Sequence, residues 1–284
     1  MILITGAGGT VSSALVNALK GSDHPLRLAF HTPEKAARAA AAGYDVVTYD
    51  YHRPTTLAPA LDGVTALFLL GNGIVGQAEG EVNVVEAARA AGVERLVKLS
   101  VWGADEEAFA LAALHRSIER AIEASGLAWT FLRPNNFMQG FLTYDAASIR
   151  AEGAFYLPAG EARVNHVDVR DIAGVAALAL TAPGHAGKAY ALSGPQALSY
   201  TEAATLLSTA IGRPVRYVAV SDASMRAALL AEGAPAPYVD YLVDLYQYFR
   251  SGGAAGLSPD VRLVTGREPI AFAQFAREYA AAFA

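Results

Sequence analysis

The chain has no cysteine. That absence excludes disulfides, thiolate metal sites, iron–sulfur clusters and a cysteine nucleophile together. Positive charge is also short: the net charge is −5 at pH 7, and the only lysines are Lys20, Lys35, Lys98 and Lys188. A protein that tracks nucleic-acid phosphates needs the opposite balance, so no nucleic-acid partner is expected. Long hydrophobic runs are missing too. Val64–Leu70 is among the longest and falls far short of the ~20 residues that span a bilayer. No charged leader precedes Ile2-Leu3-Ile4, so the expected location is the cytoplasm, with no membrane partner.

What is present is apolar. Hydrophobic residues make up 53% of the 284 and charged residues 17%, a composition that folds rather than stays disordered. In the first half, short apolar runs alternate with amphipathic stretches. Ile2–Thr5, Leu26–Phe30, Asp45–Thr48, Val64–Leu70, Arg95–Leu99 and Leu127–Leu132 read as strands. Thr10–Lys20, Pro33–Ala42, Ile74–Ala91 and Glu106–Ser125 read as helices between them. That alternation predicts an α/β fold: a doubly wound, Rossmann-type parallel sheet. After Arg133 the rhythm breaks. Helices are expected over Asp168–Leu180, Ser199–Ile211, Ser221–Glu232, Tyr238–Arg250 and Pro269–Ala282, and strands over Lys188–Leu192 and Pro214–Val220. We therefore expect residues 1–133 to form a nucleotide-binding lobe to which 163–193 return. Residues 134–162 and 194–284 would form a smaller, mostly helical substrate lobe.

The chemistry starts at the first strand. Ile2-Leu3-Ile4-Thr5 runs into Gly6-Ala7-Gly8-Gly9-Thr10-Val11 and then a helix. Glycines make the turn tight and let backbone N–H groups and a helix N-terminus approach a pyrophosphate. Val11 stands where the dehydrogenase fingerprint keeps its last glycine. Gly6, Ala7, Gly9, Thr10 and Val11 are the candidate pyrophosphate contacts. No acid follows the second strand to hold ribose hydroxyls; His31 and Lys35 stand there instead, with Arg38 beyond. Cationic donors suit a 2′-phosphate, so NADP(H) is the expected cofactor. Asp50 and Tyr51 after the third strand, and Leu70, Gly71 and Asn72 after the fourth, occupy strand ends where ligands bind in open sheets.

These features, with Lys98-Leu99-Ser100, His115-x-x-x-Glu119, Trp129 to Pro134, Val167 to Ala173 and Thr265 to Pro269, resemble the NmrA-like group of atypical short-chain dehydrogenases/reductases. Within it the chain is similar to bacterial NAD(P)H-dependent quinone and triphenylmethane-dye reductases. The resemblance implies an NADP(H)-dependent oxidoreductase moving hydride to a small aromatic or quinone-like substrate. The same group holds non-catalytic NADP(H) sensors, and a tailoring isomerase or dehydratase with retained nucleotide is a further alternative.

Ordinary members of the superfamily carry Tyr-x-x-x-Lys on the helix after the fifth strand. Here Leu111 and His115 occupy those places, so the phenol mechanism is absent. His115 and Ser100 are the candidate catalytic residues, His115 as a ribose hydrogen bonder or a general acid. Pro134 and Asn135 would meet the nicotinamide; Asn136, Phe137, Met138 and Tyr241 would line the substrate pocket. No metal site is expected, since the histidines are scattered. The chain is expected to be a monomer or homodimer.

Overall fold

A computed structural model describes residues 1–71 and 75–284. Seven parallel strands form one sheet in the order β10-β6-β5-β4-β1-β2-β3. They are β1 (Ile2–Ile4), β2 (Leu26–Phe30), β3 (Asp45–Thr48), β4 (Ala66–Leu69), β5 (Arg95–Leu99), β6 (Ala128–Pro134) and β10 (Lys188–Leu192). Each was legible as a short apolar run. The helices between them are α1 (Thr10–Ala18), α2 (Pro33–Ala41), α3 (Leu57–Ala60), α4 (Gln77–Ala90) and α5 (Ala110–Ala124), with α7 (Val169–Thr181) leading into β10. The chain leaves β1 toward β2 on one side and returns as β4 on the other. The crevice between the ends of β1 and β4 is therefore the topological switch point.

Alternation along the strands sends side chains to two cores. Ile2, Ile4, Phe68 and Val97 pack under Leu15 of α1 and Ile172 of α7. Leu3, Leu67, Leu69, Leu96 and Phe131 pack under Val84 of α4 and Ile118 of α5. Leu3 of β1 thus faces the opposite layer from its two neighbours, as a strand period of two requires.

The second lobe has its own core, built on Phe141, Phe155, Tyr200, Phe249, Phe272 and Phe275. Its helices are α6 (Ala146–Glu152), α8 (Tyr200–Ile211), α9 (Asp222–Ala231), α10 (Ala236–Arg250), α11 (Asp260–Thr265), α12 (Phe272–Glu278) and α13 (Ala280–Phe283). Of these, α11 reaches back to α7, its Val261 buried in the first core. Serines start two helices: Ser199 and Glu202 make a reciprocal capping box on α8, and Ser221 caps α9, each satisfying N–H groups that a helix start leaves open. The lobe also holds two small sheets that periodicity did not reveal. One joins β7 (Asn136–Phe137), β9 (Arg163–Val167) and β11 (Ala197–Ser199); the other joins β8 (Ala154–Leu157) and β12 (Arg216–Ala219). Residues 163–167 thus pair with β7 and β11, and the return to the large sheet begins with α7. The expected single helix over Pro269–Ala282 is two short ones, α12 and α13, with Tyr279 between them. No described helix is long and apolar enough to cross a membrane.

His166 of β9 lies fully inside the second core, ringed by Phe141, Tyr200 and Phe272. Burial lowers its pKa from 6.5 to about 4. The unfolded chain then binds this proton more readily than the folded one. The stability from keeping His166 neutral is complete above pH 6.5 and is lost as pH falls toward 4, roughly 3 kcal/mol in all. Urea unfolding followed from pH 7 to pH 4 is expected to show that loss, and His166→Phe to flatten it. An unchanged acid slope in the variant would remove His166 as its source.

Candidate active site

The switch-point crevice is tied together by one threonine. Thr5 donates its backbone N–H to the Phe68 carbonyl at 3.1 Å, and its Oγ1 accepts from Leu70 N–H at 2.7 Å. The turn that follows needs glycine at its first position. Gly6 has φ +58°, and a Cβ there would stand 2.5 Å from Cδ2 of Leu70. Gly9 N–H closes the turn onto the Gly6 carbonyl at 2.8 Å. The first bond of α1 runs from Ser13 N–H to Gly9 O. The N–H groups of Thr10, Val11 and Ser12 are therefore left to a ligand, in line with the open donors of any helix start. No acidic side chain sits in that first turn, and the helix dipole adds positive potential there. Ser12 Oγ turns inward and donates to Thr5 O at 2.9 Å, which seats the helix on the strand.

Lys35, on α2, is exposed and lies across this loop, its Cδ 3.3 Å from where a Gly8 Cβ would be. His31 is exposed at the end of β2. Asp50 accepts the His52 N–H in a local turn at 2.9 Å. Tyr51 is buried against Gly80 of α4, where a Cβ would overlap its ring. Asn72 lies outside the described residues.

Next to Gly71, just past β4, is a buried ion pair. Lys98 of β5 and Glu81 of α4 meet at 2.8 Å, both with side chains essentially closed to solvent. Gln77 donates to Glu81 at 2.7 Å, and Lys98 also donates to the Leu99 carbonyl. The Gly71 backbone rests on Glu81 and Gln77 so closely that a Cβ would collide. Lys98 lies inside its strand and finds its partner 17 residues away in the chain.

His115 of α5 is buried, its Nδ1 without a hydrogen-bond partner among the described residues. Burial first, and the neighbouring Lys98 ammonium second, hold its pKa well below the usual histidine value. The imidazole is neutral at physiological pH and offers one donor and one acceptor.

Ser100 is committed elsewhere: its Oγ donates to Glu119 at 2.7 Å. Glu119, wholly buried, also takes Arg133 at 2.8 Å and Arg116 at 3.2 Å. Besides its helix pair with Arg116, Glu119 thus holds a network that joins the end of β5, α5 and β6. Arg133 reaches on to Asp105 at 3.0 Å.

Pro134 closes β6, its carbonyl accepting from Trp102 N–H. The Asn135 side chain is held by two bonds, donating to Ala254 O at 3.0 Å and accepting from Asn136 N–H at 2.9 Å. Asn136 and Phe137 are half-buried on β7. Met138, expected to line the pocket, is packed in the second core instead, because its N–H bonds the Val167 carbonyl and turns it inward. Tyr241 of α10 stands beside Tyr238, ring centroids 6.1 Å apart. Phe109 stacks on Tyr248 of the same helix at 4.7 Å, and Asp244 accepts the first N–H of α5 at 2.7 Å. α10 therefore bridges the two lobes along an aromatic face.

Comparison with known proteins places the whole arrangement. The chain is 38% identical over 284 residues to an NAD(P)H azoreductase of Xenophilus azovorans, covering 100% of this chain and 99% of that protein. It superposes on the NADPH complex of an NADPH-dependent quinone oxidoreductase of Escherichia coli with TM-score 0.87 at 30% identity, over 98% and 99% of the two chains. The NADP(H) complex of the Citrobacter triphenylmethane reductase gives TM-score 0.87 at 27% identity, again over 98% and 99%. The family model described as NmrA-like matches residues 1–267, and the chain belongs to the NmrA-like family.

Proposed function

We propose that this protein is an NADP(H)-dependent reductase that passes hydride to a small aromatic electrophile of quinone or azo type. The observation that carries the reading is the switch-point cradle: open N–H groups at α1, a glycine turn seated on Leu70, and Lys35 lying over Gly8.

The N–H groups of Thr10 and Val11 hold the pyrophosphate, and Gly6, Ala7 and Gly9 shape the turn that lets it approach. Lys35 and His31 take the 2′-phosphate, with Asp50 and Tyr51 beside the adenosine. Leu70 and Gly71 floor the crevice, and Pro134 and Asn135 bound its nicotinamide end. When bound, the reduced nicotinamide supplies the hydride. Neutral His115 suits a hydrogen bond to a ribose hydroxyl better than proton donation, because its lowered pKa leaves it deprotonated at pH 7. Ser100 acts through Glu119, holding the ends of β5 and β6 in register. Residues 134–162 and 194–284 form the substrate lobe, with Asn136, Phe137 and Tyr241 toward the acceptor. The protein's contribution is orientation and exclusion of water.

The reading is tested by NADPH oxidation at 340 nm across quinones and azo dyes. Tight NADPH binding without turnover of any acceptor would overturn it in favour of a sensor. Lys35→Ala is expected to raise KM for NADPH about tenfold, the loss of one charge-assisted contact, and to leave KM for NADH unchanged. Equal changes for both cofactors would remove Lys35 from the 2′-phosphate site.

A further inference from the structure

The carbonyl of Gly253 takes hydrogen bonds from two separate parts of the molecule. Tyr248 of α10 donates its hydroxyl at 2.8 Å, and Trp102, in the loop between β5 and α5, donates Nε1 at 3.1 Å. A carbonyl has two lone pairs, so both are used. The fit around it is close. A Cβ on Gly253 would fall 2.0 Å from the Tyr248 ring, one on Gly256 would fall 2.5 Å from the Trp102 ring, and one on Gly103 would fall 3.1 Å from the Tyr248 hydroxyl. Three glycines therefore clear space for two aromatic side chains. The next carbonyl, that of Ala254, accepts from Asn135 Nδ2 at 3.0 Å. The turn Gly253–Ala255 that follows α10 is thereby tied to the segments that leave β5 and β6.

The same loop meets α10 twice more. Phe109 stacks on Tyr248 with ring centroids 4.7 Å apart. Phe109 also stands at the start of α5, where its side chain caps nothing. Asp244 of α10 fills that role from outside, accepting the Ala110 N–H at 2.7 Å. A helix start needs such an acceptor, and α5 takes it from the other lobe. The loop is held in a conformation it would not choose alone. Glu107 has φ +51°, the one non-glycine residue of positive φ among the described residues. Such backbone strain persists only where the surroundings impose it. Asp105 is fixed as well, by Arg133 of β6 at 3.0 Å.

Tyr241 and Tyr248 stand two turns apart on α10 and so share one face. A helix is stiff over that ~10 Å, so whatever anchors Tyr248 also fixes Tyr241. One end of this face is fastened beside Asn135, at the nicotinamide end of the crevice, and the other end turns toward the acceptor. Hydride transfer needs its reacting atoms within about 3–3.5 Å, and a displacement of about 1 Å can cost on the order of a hundredfold in rate. Alignment carries more weight here than in ordinary members of the superfamily, because Leu111 and His115 stand in place of their Tyr and Lys.

We propose that Tyr248 and Asp244, received by Trp102, Phe109 and Ala110, form a latch between the lobes that sets the distance from the acceptor to the nicotinamide. Both are positioning residues. They act through α10 and α5, the helices that carry Tyr241 and His115. The inference rests on the reductase reading and assigns the residues that align its two reactants.

The test uses the full-length enzyme with NADPH and menadione. Tyr248→Phe removes only the hydroxyl: the stack on Phe109 stays, and Gly253 O keeps its bond from Trp102, so the fold persists. The variant is expected to lower kcat roughly tenfold and to leave the dissociation constant of NADPH within about twofold. The isotope effect on kcat with NADPH dideuterated at C4 should rise, as misalignment makes hydride transfer slower than product release. Asp244→Ala should act in the same way. Asp244→Asn keeps an acceptor oxygen for Ala110 N–H and should recover most of the rate. Hydrogen exchange over residues 101–110 reads the latch without turnover and should quicken in Tyr248→Phe and Asp244→Ala. Unchanged kcat, isotope effect and exchange in both variants would overturn the latch, while native turnover of menadione still upheld the reductase. Quickened exchange with unchanged kcat would overturn its part in alignment. A native protein that binds NADPH and turns over no acceptor would overturn the reductase, and quickened exchange in the variants would still uphold the tie between the lobes.

Discussion

Glu81→Ala is expected to lower the stability of this protein by about 3–5 kcal/mol. The substitution leaves the Lys98 ammonium fully buried inside a parallel strand, with Leu99 O as its one remaining acceptor among the described residues. For a chain of this size each kcal/mol moves the melting temperature by roughly 2–4 °C, so a fall on the order of 10 °C should be visible by scanning calorimetry. Replacing both partners at once, Glu81→Leu with Lys98→Met, is expected to restore most of the loss, because apolar groups of similar volume need no partner. A double variant as unstable as the single one would show that the pair acts through geometry rather than charge. Geometry does depend on it: Gly71 rests on Glu81 and Gln77, so Glu81→Ala should also raise KM for NADPH at temperatures where the fold persists.

The second large effect is at the glycine turn. Gly9→Val is expected to weaken NADPH binding more than a hundredfold, about 3 kcal/mol, with little effect on stability. Gly9 has φ −86° and ψ 166°, an extended conformation that valine adopts freely. Its Cβ would lie 3.2 Å from the Gly6 carbonyl, and the two methyls would fill the approach to the N–H groups of α1. Gly6→Ala differs in kind. It combines a positive φ with a collision on Leu70, so it should lose both stability and binding. Isothermal titration with NADPH beside urea unfolding separates the two cases. Native affinity in Gly9→Val would mean that the phosphates bind elsewhere.

The strands of the large sheet could be read from the chain because each is a short apolar run between turns, and the glycine turn because strand, glycines and helix are contiguous. Arg163–Val167 could not. Four of its five residues are buried, so it shows no alternation, and its partners β7 and β11 are two and three residues long. The site was legible in proportion to its locality. Gly6 to Val11 are consecutive, whereas Glu81 meets Lys98 only after β5 passes under α4. Ser100 looked like a free hydroxyl until β5, α5 and β6 brought Glu119 and Arg133 to it.

The segment from Gly253 to Asp260 bears on how the protein is made. It crosses the ends of β5, β6 and β10. Trp102 Nε1 donates to Gly253 O, Asn135 Nδ2 to Ala254 O, Ser258 N–H to Ser193 Oγ, and Ala191 N–H to Asp260. These contacts join residues more than sixty and up to about 150 positions apart. A growing chain can assemble β1 to β5 early, yet the edge at β6 and β10 stays uncovered until the last tenth of the polypeptide has left the ribosome. Such distant closures slow folding and lengthen the life of exposed strand edges. Loss of the C-terminal segment would thus lower yield through aggregation of nascent chains, before any effect on catalysis could be measured.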